Sequence, residues 1–289
     1  MTARFSCVVD DDPRFARQAL LWAASLMIYG LQSAESLVVH TIGDGDPRLR
    51  ELLGSWGVQV VPVEAFDERH PYSNKLAQFG SGALGGAGHV VLCDCDLAFA
   101  APITPWLRGD RIRARIAQRP QLREEQWAAL FAEAGLRLPG RRVLAGNGEP
   151  TPAAFCNGGL YVLPGRLFAE FGDAWSTWNR WLLDRIELLG PAHMFADQVS
   201  FAIACEHLGH TVDYLPIDLN YHTRGSSAAL RGSGRRYAEP RVLHYHRMVG
   251  PRGLLRMERI SSRNAATERI NDVIRNLKEL YPFDEPADG

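Results

Sequence analysis

Four short apolar runs separated by amphipathic stretches fill the first hundred residues, and this alternation restricts the architectures open to the chain. Residues 5–9, 37–42, 58–63 and 90–92 are runs rich in Val and Leu. Between them, Asp12 offers an N-cap with Pro13 at the first helical position, so a helix is expected over 13–29, stopping at Gly30. Pro47 opens a second helix through 56. Ser73 caps a third, which contains Lys75 and fades into the glycines at 80–88. Strands that are apolar throughout are buried on both faces, and the intervening helices supply the two covers. The expected class is α/β, with a mostly parallel, Rossmann-like central sheet flanked by helices. Ligands of such sheets bind beyond the carboxyl ends of the strands. Two acidic groups stand there: Asp10-Asp11-Asp12 after the first strand and Asp94-Cys95-Asp96 after the fourth.

The rest of the chain is less regular. Residues 111–117 alternate Arg with Ile or Ala, as a half-exposed strand does, and 121–136 read as an amphipathic helix. Residues 155–163 form a strand interrupted by Gly158 and Gly159. A long helix is expected over 166–189, another over 196–208, short strands over 211–216 and 241–246, and a last helix over 265–280. Trp175, Trp178 and Trp181 fall near one face of the long helix, the spacing of a core stripe. No repeat or linker divides the 289 residues, so one domain is expected.

Composition narrows the function classes. The 32 basic and 33 acidic residues leave a net charge of −1, which argues against a nucleic-acid binder held by bulk charge. Five scattered cysteines without a CxxC pair suggest neither a disulfide framework nor a structural zinc site. The apolar start is too short for a signal-peptide core, and the longest apolar stretch, 19–31, is short of the roughly 20 residues that span a bilayer. A soluble cytoplasmic protein without a transmembrane segment is expected. Residues 224–263 nevertheless hold ten arginines against two glutamates, a local basic excess suited to a diphosphate, an anionic acceptor or a peripheral membrane contact. Only Lys75 and Lys278 are lysines. A lysine at a helix start opposes the macrodipole, so Lys75 invites a nearby anion.

Asp94-Cys95-Asp96 carries the most chemistry. In extended backbone, residues i and i+2 point to the same side, so two carboxylates converge at the sheet edge. A hard divalent cation such as Mg²⁺ or Mn²⁺ relieves their repulsion and keeps open positions for phosphates. Two kinds of enzyme place DxD after a strand. One is the haloacid-dehalogenase-like phosphatase, but its motif continues to Thr or Val where this chain has Ala98, and it sits on the first strand. The other is the metal-dependent glycosyltransferase of GT-A type.

Several segments, in order over about residues 5–252, resemble the retaining GT-A enzymes related to glycogenin and the bacterial lipopolysaccharide galactosyltransferases, a family 8-like pattern. These are Val8-Val9-Asp10-Asp11, Val90-Val91-Leu92-Cys93-Asp94-Cys95-Asp96, Phe155-Cys156-Asn157-Gly158-Gly159-Leu160, Ala196-Asp197-Gln198 and Leu243-His244-Tyr245. The resemblance implies a GT-A nucleotide-diphospho-sugar transferase fold, with 1–110 as the nucleotide-binding half, 111–250 as the acceptor and sugar half, and 251–289 as a C-terminal helical extension. It implies transfer of a hexose from a nucleoside diphosphate sugar, UDP-linked by preference, to an unknown acceptor with retention. The implied metal ligands are Asp94, Asp96 and His244, holding Mn²⁺ or Mg²⁺. His246 would share a strand face with His244, so either histidine suits the third place. The implied nucleotide contacts are Val9, Asp10, Asp11, Asp94 and Cys95; Asn74 and Lys75, in a segment atypical of the family, join them as candidates because they stand at a helix start that suits an anion. The implied sugar contacts are Asn157, Gly158, Gly159 and Asp197, with Asp197 and Gln198 at the reacting carbon. The family's late Lys-Pro-Trp is missing, so Arg247 or Arg252 would have to meet the phosphates. The rivals are the phosphatase, a sugar-phosphate nucleotidyltransferase, which lacks its Gly-rich loop here, and a GT-A-like domain that binds a nucleotide sugar without transferring it.

Overall fold

The structure is a computed structural model that describes residues 2–223, 239–250, 252–257 and 264–282. Seven strands form the central sheet: β1 (Ala3–Val9), β2 (Leu37–Ile42), β3 (Gln59–Val63), β4 (His89–Cys93), β6 (Ile112–Ile116), β9 (Cys156–Pro164) and β10 (Val212–Tyr214). Their order is β10-β6-β9-β4-β1-β2-β3. Only β9 runs against the others, pairing antiparallel with both β4 and β6. Both faces are covered, as the unbroken apolar runs require. In β4, Val91 and Cys93 enter the core beneath helix α1 (Pro13–Ile28) and the C-terminal helix, while Val90 and Leu92 enter the core on the opposite face. The α1 cap is as read: the Asp12 side chain accepts from the Arg14 amide at 2.7 Å.

Around this sheet lie α2 (Pro47–Ser55), α3 (Glu124–Glu133), α4 (Phe168–Leu183), α5 (Ala196–His207) and α6 (Asn264–Leu277). A second, three-stranded sheet, β11 (Tyr221–His222), β12 (Val242–His244) and β5 (Leu97–Phe99), stands at the carboxyl end of β4. A hairpin of β7 (Arg142–Leu144) and β8 (Pro150–Pro152) lies apart. Of the small sheet only β12 was readable from the sequence, within the strand expected over 241–246, yet the sheet does the decisive positioning. β5 leaves directly from Asp96, and β12 returns beside it with His244 opposite Leu97.

Three expectations need correction. The segment opened by Ser73 is not an α-helix but a tighter 3-10 run over Pro71–Ser81, with Pro71 in its first turn and Gly82 left-handed at its end. The long helix ends at Leu183, and a 3-10 segment, Ile186–Phe195, follows, broken at Gly190 (φ 51°) before Pro191. The final strand stops at His244, because the chain turns left-handed at His246 (φ 48°). Trp175 is buried, and Trp178 and Trp181 pack against apolar clusters, in keeping with a core stripe. The basic segment splits: 224–238, 251 and 258–263 lie outside the described residues.

Candidate active site

The site forms where β9 overshoots β4. Cys93, the last residue of β4, pairs with Leu160, so the preceding Asn157-Gly158-Gly159 project past the strand end and lie against the DxD turn. The Asp94 amide donates to the Gly159 carbonyl at 2.9 Å, tying the two together. Side chains in a strand alternate, and here each glycine vacates a different side. A Cβ on Gly158 would sit 2.9 Å from Lys75 Nζ and 3.1 Å from Asp197 Oδ2. A Cβ on Gly159 would sit 2.7 Å from the His244 ring and 3.0 Å from Asn220 Nδ2. Both glycines are therefore close-approach positions, and the register of β9 against β6 shifts across them, from Tyr161 opposite Ala114 to Cys156 opposite Ile116.

On the Gly158 side lies a compact charge cluster. Lys75 Nζ is 2.5 Å from Asp94 Oδ1 and 3.5 Å from Asp197 Oδ2, and it donates to the Gly158 carbonyl. Its side chain is only 10 % exposed, so it is not a solvated surface lysine. Burial works to lower the Lys75 pKa, but Asp94 and Asp197 outweigh it and hold the ammonium firmly charged. Burial pushes the Asp197 carboxyl up, and Lys75 opposes that rise. Asp197 is fixed in the first turn of α5. There the buried Trp175 Nε1 donates to the Asp197 carbonyl at 2.9 Å and to Ser200 Oγ at 3.1 Å.

On the Gly159 side lies a chain of amides that fixes a histidine tautomer. The Gly159 amide donates to Asn157 Oδ1 at 3.0 Å, so that atom accepts. Asn220 Nδ2 donates to the same oxygen at 2.7 Å, which turns Asn220 Oδ1 toward His244 Nδ1 at 2.9 Å. Nδ1 must then carry the hydrogen. The neutral ring consequently aims the Nε2 lone pair at Asp96 Oδ1 (3.1 Å) and Asp94 Oδ2 (3.7 Å). A lone pair facing two carboxylates calls for a cation between them. Ligand atoms of Asp94, Asp96 and His244 lie within 4.8 Å of one another, and the donor set suits a divalent ion. Burial alone would raise the Asp96 pKa, but positive charge at His244 and His246, as when a proton occupies Nε2 in place of the ion, holds it well below the usual range.

Part of this constellation lines one open cleft of about 560 Å³, whereas His244, Asn157, Gly158 and Gly159 are not among its lining residues. Asp10, Asn74, Lys75, Asp94, Cys95, Asp96, Asp197, Gln198 and Arg247 all border it. Asn74 Nδ2 donates to Asp10 Oδ1 at 2.6 Å, and burial pushes the Asp10 carboxyl up against that bond. Val8, not Val9, faces the cleft, since Val9 points into the core; Val9 and Asp11 border a neighbouring hollow instead. Arg252 is exposed and is not among the cleft-lining residues. Six lining residues escaped the sequence reading: Arg14, Phe15, Gln18, Pro71, Tyr72 and Met194. Asn220 escaped too, although it orients His244. It lies among residues 216–222, which carry no motif, and only the pairing of β11 with β12 places it.

Comparisons with known proteins agree with this architecture. Residues 6–209 match a family model described as Rhodobacterales glycosyltransferase domain. No curated protein matches. Similar solved structures include the galactosyltransferase LgtC in complex with donor and acceptor sugar analogs. It is 13 % identical with a TM-score of 0.59, and the match covers 94 % of this chain and 95 % of that one. Mouse xyloside xylosyltransferase 1 in its apo form is 13 % identical with a TM-score of 0.51, covering 84 % and 97 %. The glycosyltransferase GlyE of Streptococcus pneumoniae is 13 % identical with a TM-score of 0.51, covering 98 % and 66 %. At such identities these likenesses speak for the fold, which is of GT-A type. No helix among the described residues is long and apolar enough to cross a membrane.

Proposed function

Because the chain belongs to the Rhodobacterales glycosyltransferase domain family, it is a glycosyltransferase rather than a phosphatase, a nucleotidyltransferase or a binding-only domain, and we propose that it moves a hexose from a nucleoside diphosphate sugar to an acceptor hydroxyl. The observation that carries this reading is the cluster of Asp94, Asp96 and a tautomer-fixed His244, whose two carboxylates border the same cleft as Lys75, Asp197 and Gln198. A UDP-sugar is the favoured donor, and the 289 residues act as one domain.

Asp94, Asp96 and His244 would hold Mn²⁺ or Mg²⁺. When bound, such an ion offsets the charge that develops on the departing diphosphate. Arg247, at the cleft wall, supplies the cationic phosphate contact that the missing lysine would have made, and Arg14 stands beside it. Asp10 and Asn74, already hydrogen-bonded to each other, receive the nucleoside, flanked by Asp11 and the backbone near Val9 and Cys95. Asn157, Gly158 and Gly159 are assigned the contact with the sugar, and Asp197 binds its hydroxyls. Gln198 faces the reacting carbon. There the bond to the diphosphate oxygen breaks, the acceptor oxygen bonds to the same carbon, and the acceptor proton passes to the departing phosphate. That same-face course retains configuration. Lys75 keeps Asp197 oriented throughout, and its charge opposes the rise that burial imposes on that carboxyl.

A thermal-shift panel of UDP, GDP and ADP species, each with and without Mn²⁺, tests this. A UDP species should raise the unfolding midpoint only when metal is present. No metal-linked stabilisation by any nucleotide would refute the reading.

A further inference from the structure

Asp96 offers two carboxylate oxygens, and each meets a different imidazole. Oδ1 lies 3.1 Å from His244 Nε2, and Oδ2 lies 3.3 Å from His246 Nδ1. The two rings are 3.9 Å apart, centroid to centroid. A third ring, that of His222, stands behind them, with Nδ1 3.2 Å from His246 Nε2. This arrangement does not come from strand alternation, because β12 ends at His244. His246 reaches its place through a left-handed backbone (φ 48°), which only one other non-glycine residue adopts among the described residues. Such a conformation costs on the order of 1 kcal/mol or more and persists only where its surroundings hold it.

Metal bonds of about 2.1 Å set two ligand atoms about 3.0 Å apart at a right angle and about 3.4 Å apart at a tetrahedral one. The 3.1 and 3.3 Å separations fall between those limits. We propose that His246 is a fourth protein ligand of the ion assigned to Asp94, Asp96 and His244, and that His222 is a positioning residue for His246. This rests on the metal reading above. A second imidazole changes which ion the site prefers. Mg²⁺ favours oxygen donors, whereas nitrogen donors favour transition ions. Two carboxylates and two imidazoles therefore select Mn²⁺ or Co²⁺ over Mg²⁺.

Metal binding to the full chain, stripped with EDTA, tests the proposal without turnover. Free Mn²⁺ is followed by electron paramagnetic resonance, Co²⁺ by its visible absorption, and Mg²⁺ by competition. Wild type should bind Mn²⁺ and Co²⁺ well ahead of Mg²⁺. The variant His246→Asn keeps a residue type that tolerates the left-handed region, and should weaken Mn²⁺ and Co²⁺ binding about tenfold or more. It should alter the Co²⁺ spectrum and leave Mg²⁺ competition nearly unchanged. His246→Gly removes the ring and relieves the backbone, so it serves as a second variant whose folding does not depend on asparagine being accepted. If either folded variant binds Mn²⁺ and Co²⁺ as wild type does, the assignment of His246 is overturned while the three-ligand site stands. If wild type binds none of the three ions, both readings fail.

Discussion

The two sides of the glycine pair in β9 solve the same electrostatic problem differently. On the Gly158 side, Asp94 and Asp197 are neutralised by an ammonium that belongs to the chain, Lys75, buried between them. On the Gly159 side, the amide relay from Gly159 through Asn157 and Asn220 fixes the hydrogen of His244 on Nδ1. An uncharged lone pair is left facing Asp94 and Asp96. One side is complete when the protein folds, and the other, on the proposed reading, is completed by a cation from outside. The difference teaches where stability and where function should respond to mutation.

The largest expected effect is on the completed side. Lys75→Met strands two carboxylates, one of them buried, and should cost roughly 3–5 kcal/mol of stability, read from chemical denaturation. Adding Asp197→Asn should restore a good part of that loss; strict additivity of the two substitutions would break the pairing assigned here. Acid probes the same side at its base. His40 is fully buried, pairs with Ser6 Oγ at 2.9 Å, and meets Ser81 Oγ, in the segment that carries Lys75, at 2.7 Å. Burial lowers its pKa from 6.5 to about 4. The folded state thus binds fewer protons than the unfolded one across that range. The stability from neutral His40 is complete above pH 6.5, declines as pH falls toward 4, and amounts to about 3 kcal/mol. A His40→Asn variant should show a shallower decline in unfolding free energy between pH 6.5 and 4; an equal slope would remove His40 from the account.

On the open side the effects are smaller for the fold and larger for the ligand. Gly159→Ala drives a methyl into the His244 ring, and should cost about 1–3 kcal/mol while displacing that ring. Asn220→Ala removes the acceptor that fixes the His244 tautomer, and should weaken Mn²⁺ binding about tenfold with little change in melting. If Asn220→Ala instead bound Mn²⁺ as wild type does, the relay would have no functional weight.

The same contrast explains what was legible in the sequence. The sheet was readable because its strands are buried on both faces, so β1, β2 and β4 are mostly apolar, with polar members Ser6, His40 and Thr41 buried as well. The acidic pair was readable because its chemistry lies in two adjacent turns of one strand end. Lys75 was noticed for its rarity, but its role was not: that depends on Asp197, more than a hundred residues away. The segment around it was misread as α-helical, because Ser73 looks like a cap although Pro71 and the glycines after 79 favour a tighter turn. Asn220, His222 and the pairing of the small sheet were hidden, although its middle strand was expected over 241–246. Strands of two and three residues carry no periodicity, and their positions come from pairing with β5 rather than from local pattern. Arg252, proposed by analogy with a lysine the chain lacks, does not line the cleft, whereas Arg247 does.

The central claim is that the Gly159 side is an acidic centre awaiting a cation that brings a nucleoside diphosphate with it. Calorimetric titration of UDP into wild type and Asp96→Asn, each with Mn²⁺ and with EDTA, tests it most directly. The account predicts tight binding only to wild type with Mn²⁺. It predicts a loss of about 100-fold or more in Asp96→Asn, whose melting midpoint in EDTA does not fall. Equal UDP binding by the two proteins, or binding that ignores Mn²⁺, would contradict it.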